Sequence, residues 1–152
     1  MILLLASLAA PALAAGPPPP PAATAADAAA GVDAYEKVRV ALAGDRHVDV
    51  PAAAKALAAV SSGGLAAAAE ALSAKTDAAG QRAAFGEVTR QLVLAMGPNP
   101  AVKLHVFHCP MVTGYGYWVQ TKAVFENPYM GKAMLSCGTR ASLKDALAAA
   151  GG

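Results

Sequence analysis

Alanine constrains this chain more than any other feature. It supplies nearly half of an apolar fraction of 56%, beside 5% aromatic and 14% charged residues. Alanine has the best helix propensity but adds little apolar area when buried. With 152 residues there is room for one domain and a flexible lead-in. The expected product is mainly α, with a core of small side chains and modest stability unless something staples it. A net charge of +2, with no lysine or arginine run and no basic stripe among aromatics, makes no case for a nucleic-acid partner.

Residues 1–15, MILLLASLAAPALAA, read as a secretory signal: an apolar run from Ile2 to Leu8, then Pro11, then Ala12-Leu13-Ala14 as a small-residue cleavage site. No lysine or arginine precedes the run. It is too short to cross a bilayer, which needs about 20 apolar residues, so no membrane span is expected after cleavage. Residues 16–30 follow as a linker, Gly16 and then Pro17 to Pro21 leading into alanines and Thr24. Proline runs favour extended polyproline II. The chain is therefore expected to be exported, periplasmic or secreted, where disulfides are permitted.

Residues 31–150 are expected to form one helical domain. Asp33 is a candidate cap for a first helix with Tyr35, Val38 and Leu42 on its inner face, ended by Gly44. Asp49 would cap Val50 to Val60, with Pro51 tolerated in the first turn. Ser61 to Gly64 would separate this from Leu65 to Ala74. The strongest helix starts at Thr76 or Asp77, places Phe85, Val88, Leu92 and Met96 on one face, and stops at Gly97-Pro98. Gly86 weakens it by about 1 kcal/mol unless close packing requires it. About four helices with short breaks suggest an up-and-down antiparallel bundle. A closing helix is expected over Ser142 to Ala150, with Leu143 and Leu147 inward.

The stretch from His105 to Gly138 is different. It holds both cysteines, the single tryptophan, two of three histidines, three of four tyrosines and three of five methionines. Val102 to Cys109 is β-branched, aromatic and alternating, which reads as an extended segment with His105, Phe107 and Cys109 on one side and His108 on the other. Gly114 to Tyr117 makes a turn, and Trp118 to Phe125 a second extended piece. Asn127-Pro128 resembles a helix start, and Gly138 suits a left-handed stop. A helix over 128–137 would align Met130, Met134 and Cys137; because Gly131 weakens it, a turn-rich loop is the alternative.

Cys109-Pro110-Met111 and Met134-Leu135-Ser136-Cys137 each offer a thiol and a thioether without an intervening acid. Such soft donors select Cu(I) over hard cations. His105 is placed to replace one methionine, and Met130 and His108 are further candidate ligands. The competing reading is a Cys109–Cys137 disulfide with no metal, stabilising the fold by about 3 kcal/mol in the chain-entropy model. Zinc on the cysteines and histidines lacks a familiar spacing. A thiol redox protein would need activated thiolates, and there is no CxxC pair. No nucleophile elbow, phosphate-cradling loop or paired carboxylates suggest an enzyme.

The run His108-Cys109-Pro110-Met111, then Trp118, then Asn127-Pro128-Tyr129-x-Gly131-x-x-Met134-x-x-Cys137-Gly138 resembles a family of bacterial periplasmic domains of unknown function. Its members stand alone or are fused to CusB-type adaptors of copper and silver efflux pumps. Tyr35 to Leu42 and Gln81 to Phe85 resemble its opening helix and the start of its long helix, so the resemblance spans roughly residues 32 to 140. It implies a helical bundle with Cys109, Met111, Met134 and Cys137 as the metal ligands near its C-terminal end. Met130 stands where many members carry an aromatic residue. The function expected is soft-metal binding, buffering or delivering Cu(I) in homeostasis or efflux. The expected partner is a CusB-type adaptor or another periplasmic copper protein, and no catalysis is expected.

Overall fold

The computed structural model of the chain describes residues 25–151. The signal segment 1–15 and the proline run lie outside the described residues. The described part is mostly helical, with a small three-stranded antiparallel sheet. Helices α1 (Ala25–Ala43), α2 (Val50–Ala59), α3 (Gly63–Ser73) and α4 (Ala78–Met96) come first. Strands β1 (His105–His108) and β2 (Tyr117–Gln120) follow. Then come a 3₁₀ turn at Gly131–Met134, strand β3 (Thr139–Ala141) and helix α5 (Leu143–Gly151). The helices pack each on the next, from α1 to α4, while α4 also carries α5 and β2. Among the described residues, no helix is long and apolar enough to cross a membrane.

The inner faces follow the apolar spacing. Tyr35, Val38 and Leu42 of α1, Ala54 and Leu57 of α2, Ala69 and Leu72 of α3, and Phe85, Val88 and Leu92 of α4 are all buried. Asp77 caps α4, its carboxylate accepting from Gly80 N–H at 2.7 Å. Gly97, at φ 63°, ends it. Met96 packs against the core as the last member of the α4 stripe.

Several sequence expectations change. The first helix begins at Ala25, upstream of Gly31 and of Asp33. Nothing in the alanine run before Gly31 stops a helix, and one glycine is too weak a breaker to do so. Asp49 makes no capping bond; its carboxylate pairs instead with Arg46 at 3.5 Å. Gly63 and Gly64 open α3 rather than separating helices. The second extended piece is shorter than expected, because the chain leaves the sheet after Gln120. Residues 128–137 do not form an α-helix. Gly131 takes φ 64° and leaves a single 3₁₀ turn, the loop alternative. Strand β3 has no sequence signature and was not expected.

In the sheet, β1 lies between β2 and β3. Phe107 is opposite Trp118 and Arg140, and His108 is opposite Tyr117 and Thr139. The rings of Phe107 and Trp118 stack at 5.2 Å. Residues 121–138 form an arm that folds over that face of the sheet. Phe125 lies 4.6 Å from Phe107 and Tyr129 lies 6.3 Å from Trp118. Tyr129 also reaches Phe85 at 5.6 Å, and Phe85 stacks on Tyr35 at 5.3 Å. The aromatic contacts thus run unbroken from α1 through α4 to the sheet.

Gly86 shows why a helix weakened in its middle is tolerated. A Cβ there would stand 2.9 Å from the Tyr115 carbonyl oxygen, a backbone atom that cannot rotate away. Gly86→Ala is therefore expected to lower stability by about 1–3 kcal/mol despite the roughly 1 kcal/mol gain in helix propensity, read as a lower urea midpoint.

Burial holds the Tyr35 and Tyr129 hydroxyls neutral, raising both above the ordinary tyrosine range. Tyr115 is raised too, first by burial and then by Tyr117. The folded state therefore keeps these protons after the unfolded chain has lost them. Stability from this source is complete below the ordinary tyrosine pKa of about 10 and is lost as pH rises beyond it. Urea midpoints taken from pH 8 upward, with tyrosinate absorbance in parallel, should fall only above that value.

Candidate functional site

Cys109 follows directly on β1 and is fully buried. Its N–H donates to Gly116 O at 2.9 Å and its carbonyl accepts from Val112 N–H at 3.3 Å. These two bonds close the loop between β1 and β2. Gly116 is required there, because a Cβ would fall 2.6 Å from the Cys109 carbonyl oxygen. The β1–β3 pairing of His108 with Thr139 brings the chain carrying Cys137 and Gly138 alongside. Gly138, at φ 139°, lies against the Trp118 ring and the His108 carbonyl with no space for a side chain.

The two thiols come close together there, both free. Cys137 is half-buried. Loss of solvent contact raises its thiol above the ordinary range, and the neighbouring Cys109 adds to this through its charge and its hydrogen bond. The free Cys137 thiol therefore tends to stay protonated, and a cation that binds both cysteines must displace its proton.

The arm carrying Cys137 is fixed largely by polar groups. Buried Asn127 donates from Nδ2 to the Cys137 carbonyl at 2.7 Å. Its Oδ1 accepts from Tyr129 N–H at 2.8 Å and Met130 N–H at 3.2 Å, and its own N–H donates to Leu135 O at 2.8 Å. Arg39 of α1, 1% exposed, donates to the Glu126 carboxylate at 2.8 Å and carbonyl at 3.1 Å, and to Glu36 at 2.6 Å. Glu36 in turn accepts from Thr121 N–H at 2.6 Å. Buried Gln120 accepts from the Trp118 indole N–H at 2.9 Å and donates to the Lys122 and Val124 carbonyls.

The remaining candidate ligands stand apart from the thiols to differing degrees. Met111 is 61% exposed and Met134 42% exposed, although Cys137 N–H donates to Met134 O at 3.0 Å. Met130 is half-buried against the core. His105 is paired with Gln120 in the sheet. His108 packs its ring on Tyr117 at 4.5 Å. Among the described residues, no three histidine, cysteine or acidic side chains converge as a metal-binding group. The donor set that the fold assembles is thus the two thiols, while the Met111 and Met134 side chains are exposed. That set fits a soft monovalent ion of low coordination number.

Asn127 drew attention in the sequence as a helix cap. Its side chain does accept from the next turn's N–H groups, but it also holds the carbonyl of Cys137, a role no local pattern reveals. Comparison with models of protein families, with curated proteins and with solved structures finds no match to this chain.

The difference in exposure between the thiols gives a direct test. Alkylation of the reduced native protein should modify Cys137 first. Cys109 should react at least tenfold more slowly until denaturant is added, as read by mass spectrometry of the labelled peptides.

Proposed function

We propose that this chain is an exported protein that binds Cu(I), and Ag(I) in its place, through Cys109 and Cys137, and that it buffers the ion or passes it on without catalysis. The observation that carries this reading is the closeness of two free thiols, one buried in the core and one half-buried. Two thiolates offer a soft, low-coordinate site. Met111 and Met134, exposed beside their cysteines, are free to swing onto the ion as supplementary donors. His105, His108 and Met130 would join only after local rearrangement. Helices α1 to α4 are read as an up-and-down bundle that supports the site. A CusB-type adaptor or another periplasmic copper protein is the natural recipient in this reading.

The same closeness of the thiols favours a second reading, a Cys109–Cys137 disulfide that staples an envelope interaction domain and binds no metal. The aromatic run and the alanine-rich helices leave the fold with few large side chains, so a staple would be useful to it.

A Cu(I) competition titration on reduced protein, with a free-thiol count on the same sample, separates the two. One Cu(I) per chain is expected, lost in Cys109→Ser or Cys137→Ser and weakened about tenfold in Met111→Ala plus Met134→Ala. Binding no tighter than that of a variant lacking both cysteines would end the metal reading. Absence of free thiols in protein isolated under anaerobic conditions, with a large loss of stability on reduction, would establish the staple.

A further inference from the structure

The turn between α1 and α2 contains an unusual residue. Asp45 holds φ 56°, and among the described residues no other non-glycine has a positive φ. Aspartate tolerates this region better than most residues but still at a cost. Strained positions of this kind persist where the surrounding structure needs them. What Asp45 gains is far away in sequence. One carboxylate oxygen accepts from the Arg82 guanidinium of α4 at 2.5 Å. The other accepts from the backbone N–H of Lys132 at 3.1 Å.

The Lys132 contact lies on the Cys137 arm, and the Arg82 contact leads to it. Arg82 also donates to Pro128 O at 3.4 Å, so the Asp45–Arg82 pair grips the arm on both sides of Tyr129. Gly131 sits directly over the pair, where a Cβ would collide with Asp45 Oδ1 and Arg82 Nη2. From Lys132 the chain runs through the 3₁₀ turn to Met134, whose carbonyl accepts from Cys137 N–H. These bonds hold Asp45 charged: its carboxyl is lowered below the usual range, first by the Lys132 N–H and then, against a desolvation penalty, by Arg82.

We infer that Asp45 is a positioning residue for the thiol pair: acting with Arg82 through Lys132 N–H and Pro128 O, it sets the arm so that Cys137 meets Cys109. The inference rests on the proposed two-thiol function for its purpose, while the geometry it describes is independent of any metal. It separates the roles of the two clamps on the arm. The Arg39 cluster is buried and belongs to the core. The Asp45 clamp is exposed, lies close to the 3₁₀ turn, and can be removed without opening the interior.

The test measures how strongly the two thiols find each other. Reduced protein is equilibrated with oxidised and reduced dithiothreitol. Two electrons and two protons pass from Cys109 and Cys137 to the oxidised reagent, an intramolecular disulfide forms, and reduced dithiothreitol is released. Asp45→Gly deletes the carboxylate and also removes the backbone strain, so the protein should fold with an unchanged thermal midpoint. The equilibrium constant for closing the disulfide should fall about tenfold, equivalent to about 30 mV for a two-electron couple. Asp45→Asn keeps one acceptor oxygen for Lys132 N–H and tolerates the same backbone but loses the charge that pairs with Arg82, so it should recover part of that loss. Arg82→Gln removes the pair from the α4 side and should reproduce a similar fall. Asp49→Ala, which breaks an exposed ion pair with Arg46, should change nothing.

An equilibrium within twofold of wild type in both Asp45→Gly and Arg82→Gln would overturn the inference, as would failure of Asp45→Asn to recover any of the loss. Cu(I) titration of the same variants distinguishes the two levels. Wild-type protein that fails to bind Cu(I) removes the proposed function. A tenfold shift in the disulfide equilibrium would still uphold Asp45 as the residue that brings the thiols together.

Discussion

The continuous line of aromatic contacts from Tyr35 through Phe85, Tyr129 and Trp118 to Phe107 is what the rest of this structure depends on. Alanine helices form readily, but each buried alanine removes little apolar surface from water. The large side chains must therefore be shared between parts of the molecule. Tyr35 and Phe85 are supplied by α1 and α4, Phe107 and Trp118 by the sheet, and Tyr129 by the arm. Neither the helices nor the sheet contains enough of these rings to build a core alone. The alanines contribute by being small, since they let helices approach until the few large rings touch. Gly86 extends that logic, because the Tyr115 carbonyl occupies the space a methyl group would need.

The arm over the sheet cannot be held in this way along its whole length. Beyond Phe125 and Tyr129 it buries few apolar groups, with Val124, Met134 and Leu135 exposed, and its backbone must find partners away from regular structure. Asn127, Gln120 and Arg39 serve that need, each buried and each bonded to main-chain carbonyls. Polar groups of this kind add little net stability when satisfied and cost a great deal when one partner is lost. Their contribution is a single arrangement of the arm. A less specific apolar packing would let Cys137 take several positions, and a contact between two side chains requires one.

The sequence made the helices legible because their signals are local. The stripes on α1 and α4, the Asp77 cap and the Gly97 stop all lie within a few residues of the structure they cause. The closeness of Cys109 to Cys137 was visible as a concentration of soft donors. The hidden parts depend on distant partners. Strand β3 exists because β1 has a free edge, not because Thr139-Arg140-Ala141 favours a strand. The 128–137 segment has a cap and a proline that suggest a helix, but Gly131 adopts a left-handed backbone to approach Asp45 and Arg82, two residues far upstream. Asp45 itself looks like an ordinary turn residue after Gly44. The start of α1 is hidden for a different reason: a proline-rich lead-in suggests a late beginning, whereas nothing in Ala25 to Ala30 stops a helix.

The two thiols reach their contact by different routes, and this has consequences for any ligand they share. Cys109 is fixed by a strand, by the tight loop to Gly116 and by complete burial, so its position is part of the core. Cys137 is fixed by an arm whose outer turn rests on an exposed clamp. One donor is rigid and the other adjustable. A rigid pair would bind one geometry strongly and release it slowly, since neither ligand could leave without disturbing the fold. A flexible pair would lose the benefit of preorganisation. With one donor of each kind, the adjustable thiol can detach toward solvent, where Met111 and Met134 are already exposed, while the buried thiol retains its place. A soft ion held between them would thus exchange from the Cys137 side, and a disulfide formed there would be attacked first at the sulfur of Cys137.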